Sequence, residues 1–355
     1  MMIRMPGAST NGMSKLCFLF SDLDLHMPQL RELRVQCLSW IIAAGMVSGC
    51  VLYAAPPAHP LTGRWDIVIT TPQEELPSWI EISEDDLHPQ ILMVGVTDHA
   101  NSLQNFRLHG SEIQFVSPKG EEGFPRDLLF TGRLVGGEIH GIVNGAPGEE
   151  WQWKGFRAPA LKPKTLPLWG KPRKLFNGTD FAGWHFLDPA KAGSWIVNDE
   201  ELVSTGLGSE LVTNEKFEDF KLHVEFKCSP SSNSGVYLRG RYEVQIETDS
   251  WFKSSDHHTG AIYGFLAPTP EQPRRSDVWQ TFDITLVGRI VTVAQNGIIV
   301  IDHRDIPGIT GGALDSHEGS AGPIYLQGSE EGIVAFRNIV VTPARKMEGS
   351  RKRFP

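Results

Sequence analysis

Short runs of alternating apolar and polar residues fill the chain from Leu61 to about Pro159, with Gly, Asn and Pro between them. A β-strand directs successive side chains to opposite faces, so a period of two is typical of antiparallel strands with one buried face. Gly136-Gly137, between LFTGRLV and EIHGIV, suits a two-residue hairpin because glycine adopts the positive φ that such turns require. The pattern predicts a small antiparallel β-barrel or meander domain over residues 56–160.

A second set of strand-like runs fills residues 173–343, and none keeps a helical period for more than a turn or two. Between the two sets lies segment 161–172 (LKPKTLPLWGKP), whose prolines exclude helix and interior strand, so it is predicted to be a semi-rigid linker. Asn296-Gly297, between VTVAQ and IIVID, is the strongest hairpin signal in the chain. About ten strands in one unit predict an all-β, two-sheet sandwich of the jelly-roll type.

One continuous apolar run, Cys37 to Ala55, follows Arg31 and Arg34 and ends at Pro56. A basic flank before a short apolar stretch predicts an export leader over residues 1–55, and therefore a periplasmic or envelope-anchored protein. Three alternatives stay open: cleavage near Ala55, retention as a membrane anchor, or acylation of Cys50, since Val47-Ser48-Gly49-Cys50 resembles a bacterial lipobox.

Composition and charge narrow the classes of partner. The chain has 355 residues, 33 Lys+Arg against 42 Asp+Glu, and a net charge of -9, which argues against nucleic acid as a partner. Membrane contact is expected only through the leader or a lipid anchor. Three of the four cysteines precede residue 56, which leaves Cys228 as a passive thiol. No metal-binding motif occurs, no cofactor is predicted, and the basic tail 344–355 is expected to be disordered.

Candidate chemistry lies in the run from Val236 to Ile246, taken as a strand. Its polar side chains, including Tyr237, Arg239, Glu243 and Gln245, alternate with apolar ones and would share one face. In FKLHVEFK the same alternation presents Glu225. If the two strands are neighbours, these side chains converge on one surface; the alternative is a solvated outer face with cross-strand ion pairs.

Seven segments of the second unit occur in this order: LFNGTDFAGW, FKLHVEFK, NSGVYLRGRYEVQI, TGAIYG, VWQTFDI, QNGIIVID and GPIYLQGSEEGIVAFRNI. Through them the chain from Lys174 to about Thr342 resembles the 3-keto-disaccharide hydrolase domain family, which has a concanavalin A-like jelly-roll fold. Two departures occur: Trp279-Gln280 replaces a frequent Trp-Asn, and Gln327 to Gly332 lacks a frequent His, which leaves Glu330, Glu331 or His258 for any role of that His.

The resemblance implies a hydrolase whose substrate is a disaccharide or related glycoside already oxidised at C3, and a partner oxidoreductase that supplies this keto sugar. Cleavage by elimination and hydration would need a base, an enolate stabiliser and an acid. We assign these roles to Glu243, to Arg239, and to His258 or Glu225. The side chains expected to hold the sugar are Asn233, Gln245, Tyr263, Trp279 and Gln327.

Other functions fit the same residues. A two-carboxylate mechanism would use Glu225 and Glu243 on an unoxidised glycoside. The domain could instead be a non-catalytic, lectin-like carbohydrate-binding module of the cell envelope, or a structural envelope protein, because fold does not determine function. A divalent metal could also polarise the ketone. Its ligands would come from Glu247, Asp249, Asp256, His257 and His258.

Overall fold

The computed structural model describes residues 59–345 except for short internal segments. The predicted leader with Cys50, residues 346–355 of the predicted tail, Asp249, Glu330 and Glu331 lie outside the described residues. In the described part, no helix is long and apolar enough to cross a membrane. The undescribed internal segments are 85–88, 97–98, 145–147, 164, 207, 249–253 and 330–331.

The first nine strands form one antiparallel sheet, as the alternation predicts. They are β1 (Gly63–Thr70), β2 (Glu75–Glu84), β3 (Pro89–Val94), β4 (Ala100–Ser102), β5 (Phe106–His109), β6 (Glu112–Ser117), β7 (Leu128–Val135), β8 (Glu138–Asn144) and β9 (Glu150–Arg157). Two meanders, β1 to β4 and β5 to β9, join where β9 pairs with β1. Gly136 and Gly137 both have positive φ between β7 and β8, which confirms the predicted hairpin.

Trp153 fills the centre of this first sheet. Its indole packs edge-on against Phe115 and Phe130, and its Nε1 donates a hydrogen bond to the Thr131 carbonyl at 3.0 Å. A Cβ at Gly141 would lie 2.3 Å from that nitrogen, so only glycine fits there. The close packing of the indole therefore depends on a missing side chain in a neighbouring strand.

The remaining strands build a sandwich of an eight-stranded and a five-stranded sheet, which confirms the predicted jelly-roll architecture. The eight-stranded sheet contains β10 (Arg173–Lys174), β12 (Trp195–Asn198), β13 (Glu201–Ser204), β15 (Phe220–Cys228), β18 (Gln280–Val287), β19 (Ile290–Gln295), β20 (Ile298–Asp305) and β22 (Val334–Pro343). The five-stranded sheet runs β11 (Trp184–Phe186), β14 (Leu211–Phe217), β21 (Gly322–Leu326), β16 (Asn233–Leu238) and β17 (Tyr242–Glu247). Short 3-10 turns span Pro189–Ser194 and Ser255–His257.

The inner faces of the two sheets share one apolar core. Alternate residues of β15 and β18, such as Val224 and Phe282, meet alternate residues of β16 and β17, such as Val236 and Val244. Asn296 and Gly297 form the predicted hairpin between β19 and β20. The polar residues of β16 and β17 consequently lie on the outer face of the five-stranded sheet.

The run from Val236 to Ile246 is two strands and not one, which corrects the prediction. Arg239 and Gly240 have φ values of 54° and 68° and form the turn between β16 and β17. Arg241 N closes the turn by donating to the Leu238 carbonyl at 3.1 Å. Arg239 and Gly240 occupy the left-handed region that tight hairpin turns require, and Arg241 completes a three-residue connection to Tyr242. Alternation alone does not reveal such a break.

The proline-rich segment is attached to the sandwich at both ends. The Leu161 carbonyl accepts a hydrogen bond from Arg289 N at 3.1 Å, and Gly170 N donates to the Pro343 carbonyl at 2.8 Å. A Cβ at Gly288 would lie 1.8 Å from the Leu161 carbonyl oxygen. The segment therefore follows the surface of the sandwich closely.

One face of β1 and β2 packs against the sandwich. Trp79 of β2 belongs to the sandwich core: its indole lies edge-on to Phe265 with ring centroids 5.6 Å apart. A Cβ at Gly308 would lie 2.4 Å from the indole Nε1, and the Ser316 hydroxyl donates to the Ile67 carbonyl at 2.5 Å. Two strands of the first sheet are thus covered on both faces.

Two acidic side chains meet in this contact. Asp66 of β1 is 4% exposed and Glu318 is fully buried. Glu318 accepts hydrogen bonds from the Tyr242 hydroxyl at 2.7 Å and from Arg289 at 3.2 Å. Burial, followed by the charge of Glu318 and a hydrogen bond to it, raises the pKa of Asp66 to about 9, although two arginines oppose the shift. Asp66 therefore holds a proton at neutral pH and donates it to Glu318.

We predict that this proton makes the folded protein less stable as the pH rises. The contribution is complete below the ordinary aspartate pKa of 3.8 and is lost as the pH approaches about 9. Asp66→Asn keeps a donor towards Glu318 but does not titrate. The fall in the free energy of unfolding with pH that Asp66 causes, at most about 1.4 kcal/mol per pH unit, should therefore be absent from this variant. Denaturant unfolding at several pH values between about 5 and 9 measures the free energy of unfolding. The exposed Asp127→Asn should keep the wild-type slope, and Asp66→Asn should not.

Candidate active site

The floor of the site is the outer face of the five-stranded sheet, where Tyr237 on β16 stands directly opposite Glu243 on β17. Their side chains are buried, with 2% and 3% exposure. The Tyr237 hydroxyl lies 2.9 Å from Glu243 Oε2 and 2.8 Å from the Gly311 carbonyl oxygen. Burial, and then the charge of Glu243, raise the pKa of Tyr237 well above its ordinary value, so this phenol keeps its proton as a donor.

Two glycines make room for this pair. A Cβ at Gly235 would lie 2.2 Å from Glu243 Oε1, and a Cβ at Gly312 would lie 2.5 Å from the Tyr237 hydroxyl. Tyr325 stacks on Tyr237 with ring centroids 3.9 Å apart and donates its own hydroxyl to the Gly312 carbonyl at 2.8 Å. Packing therefore fixes the Glu243 carboxylate from below and the Tyr237 ring from the side.

Side-chain amides lie beside Glu243. Gln245 Nε2 donates to Asn233 Oδ1 at 3.2 Å, and Gln327 N donates to the Gly235 carbonyl at 2.9 Å. Gln245 is 1% exposed, and its Oε1 has no hydrogen-bond partner among the described residues. A buried carbonyl oxygen without a donor is costly, so a further hydrogen-bond donor beside Gln245 Oε1 would be favourable. Asn233 and Gln327 are only half-buried, which leaves this side reachable.

A histidine held by a carboxylate lies beside β17. His257 Nδ1 is 2.9 Å from Asp256 Oδ1. Burial opposes ionisation of Asp256, but a hydrogen bond from Ser254 and the proximity of His257 outweigh it and lower the pKa of Asp256. The His257 ring lies edge-to-face with Tyr263, centroids 4.7 Å apart, and Tyr263 N donates to the Glu243 carbonyl at 3.2 Å. The Asp256–His257 pair is thereby tied to the strand that carries Glu243.

The neighbouring His258 faces different groups. Its Nδ1 lies 2.7 Å from Glu271 Oε1, and its Nε2 lies 2.5 Å from a guanidinium nitrogen of Arg274. Arg274 also lies 3.6 Å from Glu247 Oε1 at the end of β17. Both ring nitrogens of His258 are thus engaged by charged side chains. This histidine adjoins the site, and its contacts are those of an ion-pair network.

Arg239 does not converge with Glu243. It lies in the β16–β17 turn, where its guanidinium donates to the Gly288 carbonyl and sits 5.3 Å from the centre of the Tyr242 ring. The expectation of an enolate stabiliser on the Glu243 face is therefore not met by its position. The turn that the alternation did not reveal directs this side chain to the end of the sandwich.

Glu225 and Trp279 lie on the opposite sheet. Because β15 pairs with β18 and β22 and not with β16 or β17, the predicted convergence of Glu225 with Glu243 is wrong. Hydrogen bonds from Arg337 at 2.7 Å and Asn338 at 2.9 Å outweigh partial burial and lower the pKa of Glu225. The Arg337 guanidinium also covers Trp279, 3.9 Å from a ring centre, so this indole packs with residues of the opposite sheet and not with the amides beside Glu243.

Two further sequence predictions concern reactive groups. Cys228 is a buried free thiol, and burial, reinforced by nearby Asp277 and Glu247, raises its pKa to about 12, which suits the predicted passive role. The described residues contain no cluster of three or more His, Cys, Asp and Glu side chains that could hold a metal ion. Of the proposed metal ligands, Asp256 and His257 pair with each other and His258 faces Glu271.

Sequence reasoning assigned no chemical role to Tyr237 or His99. Tyr237 was placed on the polar face by alternation, and its pairing with Glu243 depends on the turn. His99, from the first sheet, lies with its ring centroid 4.7 Å from that of His257. Nothing local in the sequence links two residues so far apart in the chain, so only the fold reveals this contact.

Solved structures with related shapes were compared with the chain. A protein of Parabacteroides distasonis described as an inferred glycosyl hydrolase is 27% identical, covers 48% of this chain and 82% of its own, and gives a TM-score of 0.41. A carbohydrate-binding module from Bacillus subtilis is 15% identical over 45% of this chain and 95% of its own, with a TM-score of 0.31. A Bacillus licheniformis β-glucanase is 13% identical over 52% of this chain and 100% of its own, also with a TM-score of 0.31.

No curated protein matches the chain significantly. The family model described as a 3-keto-alpha-glucoside-1,2-lyase-like domain matches residues 171–342, which cover the sandwich from β10 to Thr342 in β22. This match confirms the resemblance drawn from the seven sequence segments. Over residues 171–342 the chain is thus similar to the 3-keto-alpha-glucoside-1,2-lyase-like domain family.

Proposed function

We propose that the sandwich domain cleaves the glycosidic bond of a 3-keto-glycoside by elimination between C1 and C2, followed by hydration. The observation that carries this proposal is the Tyr237–Glu243 pair, a buried carboxylate held by a phenol on a polar sheet face. The family description names a lyase acting on 3-keto-alpha-glucosides, which supports the same chemistry.

The substrate explains why these groups suffice. A ketone at C3 makes the C2 hydrogen acidic, because the electrons left behind delocalise onto the ketone oxygen as an enolate. When the enolate collapses, the C1–oxygen bond breaks and a C1=C2 double bond forms. The departing oxygen takes a proton from an acid, and water adds later across the double bond. The reaction thus needs one base, one acid and donors for the enolate oxygen.

Glu243 is the proposed base. When it is ionised, the Tyr237 hydroxyl donates to Oε2 at 2.9 Å. When Glu243 has taken the C2 proton, the same hydroxyl can turn to the Gly311 carbonyl at 2.8 Å and accept from the new acid. Because the phenol has two acceptors within reach, it can hydrogen-bond to Glu243 in both protonation states of the carboxyl group without movement of the backbone. The pair can therefore accept and release a proton while remaining buried.

His257 replaces His258 and Glu225 as the proposed acid. The Asp256 carboxylate holds His257 Nδ1. This contact leaves the other ring nitrogen, Nε2, to transfer a proton to the leaving group, since the partner at one ring nitrogen of a histidine sets the role of the other. Glu225 lies on the opposite sheet, and both nitrogens of His258 face charged side chains. His257 is also tied to Glu243 through Tyr263.

The amides are proposed to hold the sugar. Asn233, Gln245 and Gln327 share the Glu243 side of the sheet, and amide groups both donate to and accept from hydroxyl and ketone oxygens. Gln245 Oε1, buried without a described donor, is suited to a sugar hydroxyl. In this arrangement an amide N–H takes the enolate role first assigned to Arg239.

A 3-keto substrate has to be produced by oxidation of a C3 hydroxyl, so we propose a partner oxidoreductase that acts before this domain. The leader predicted over residues 1–55 would place the reaction outside the cytoplasm, in the periplasm or on the envelope. Membrane contact would then come from the leader or from acylated Cys50.

We predict that the protein cleaves 3-keto-trehalose or 3-keto-sucrose and leaves trehalose and sucrose intact. The reason is that only the ketone acidifies C2, so unoxidised sugars offer no route to elimination. Product analysis by chromatography and mass spectrometry, with proton exchange at C2 followed in D₂O, measures both steps. Cleavage of unoxidised sugars would favour a two-carboxylate mechanism. Binding of the keto sugars without cleavage would favour the carbohydrate-binding module.

Glu243→Gln should lower kcat on the keto sugar by at least about 1,000-fold, since the isosteric amide cannot take the C2 proton. The matched control is Glu225→Gln, a second strand glutamate that lies on the opposite sheet, and it should stay within about threefold of wild type. Steady-state kinetics and thermal unfolding of both variants test this. Equal losses in the two variants would overturn the assignment of the base.

His257→Asn should slow the release of a sugar leaving group by about 100-fold but affect a 3-keto-glucoside of p-nitrophenol by less than about fivefold. The reason is that nitrophenolate departs without a proton, so general-acid catalysis matters only for the sugar. His258→Asn is the control and should reduce the two rates in equal proportion. If His258→Asn shows the selective loss and His257→Asn does not, His257 is not the acid.

A further inference from the structure

We propose that the first β-sheet completes the active site, and that its His99 is a positioning residue that orients His257. This inference rests on the proposed role of His257 as the acid and extends it to a part of the chain outside the matched family domain. His99 directly precedes β4 and is half-buried.

The ring geometry fixes the orientation of His257. The His99 and His257 ring centroids are 4.7 Å apart with an interplanar angle of 81°, and the His257–Tyr263 pair has the values 4.7 Å and 87°. Two edge-to-face neighbours restrict the rotation of a 5% exposed imidazole, while Asp256 determines which nitrogen is held. Tyr263 comes from the sandwich and His99 from the first sheet, so neither part fixes the ring alone.

The sequence of the sandwich allows this close approach. Gly264 has a positive φ of 68°, and a Cβ there would lie 2.7 Å from His99 Cβ and 3.0 Å from Ala100 N. Gly264 is the last residue of the TGAIYG segment, and its N–H donates to the Asp256 carbonyl at 3.0 Å. Glycine at this position therefore admits the first sheet and supports the carboxylate partner of His257.

A second contact reaches the other half of the site. Gly312 N donates to the Val96 carbonyl at 2.9 Å, and Val96 N donates to the buried Glu122 at 3.2 Å. The carbonyl of Gly311, the residue before, accepts from Tyr237. Val96 thus supports the backbone that holds Tyr237, while His99 supports His257. The first sheet contacts the surroundings of both proposed proton-transfer groups.

A positioning role predicts a loss in kcat and little change in KM, because misorientation of an acid affects the transition state more than substrate binding. His99→Ala should lower kcat on the keto sugar by roughly 10- to 100-fold with KM within about twofold. His99→Phe keeps a ring edge against His257 and should recover most of the lost rate. His109→Ala, an exposed histidine on β5 of the same sheet, should leave both constants unchanged.

Gly264→Ala tests the same contact from the other side and should reproduce the kcat loss by displacing His99. Histidine ring NMR gives a readout independent of turnover: the His257 ring protons should shift in His99→Ala and return towards wild type in His99→Phe. Thermal unfolding confirms that each variant is folded. Unchanged kcat or unshifted His257 signals in a folded His99→Ala protein would overturn the positioning role. An inactive wild-type protein would instead overturn the proposed function and, with it, this inference.

Discussion

The three-residue connection from Arg239 to Arg241 determines the arrangement of the site. It pairs Leu238 with Tyr242, so the side chain at each position of β16 faces its partner on β17 across one surface, and Tyr237 lies opposite Glu243. A one-residue shift of β17 would move Glu243 to the inner face, where Val244 packs in the apolar core. The positive φ of Arg239 costs about 1 kcal/mol, which its contacts with Gly288 and the Tyr242 ring can offset.

The sequence predicted what depends on local pattern. Period-two alternation located strands of all three sheets, and the pairs Gly136-Gly137 and Asn296-Gly297 located two hairpins. It also placed Tyr237, Glu243 and Gln245 on one polar face. These features were accessible because strand alternation and turn conformation are set by neighbouring residues.

What alternation could not provide is the pairing between strands distant in sequence. Glu225 has the same local pattern as Glu243, yet β15 belongs to the other sheet. The contact between His99 and His257 joins the first sheet to the sandwich, and only the packing of Trp79 and the space left at Gly264 produce it. Arg239 was misplaced for a simpler reason: its turn has Arg where the usual signal is Asn or Gly.

The difference between Glu243 and Glu225 follows from their surroundings. Glu225 is partly exposed and receives hydrogen bonds from Arg337 and Asn338, which stabilise its negative charge and make it a poor proton acceptor. Glu243 is buried, and its carboxylate accepts a hydrogen bond from a neutral phenol whose hydroxyl also has the Gly311 carbonyl within reach. Burial disfavours a charge, so taking a proton relieves that cost at Glu243 and would forfeit an ion pair at Glu225. Of two glutamates with the same sequence pattern, the one enclosed by the polar face of the five-stranded sheet is therefore suited to act as a base.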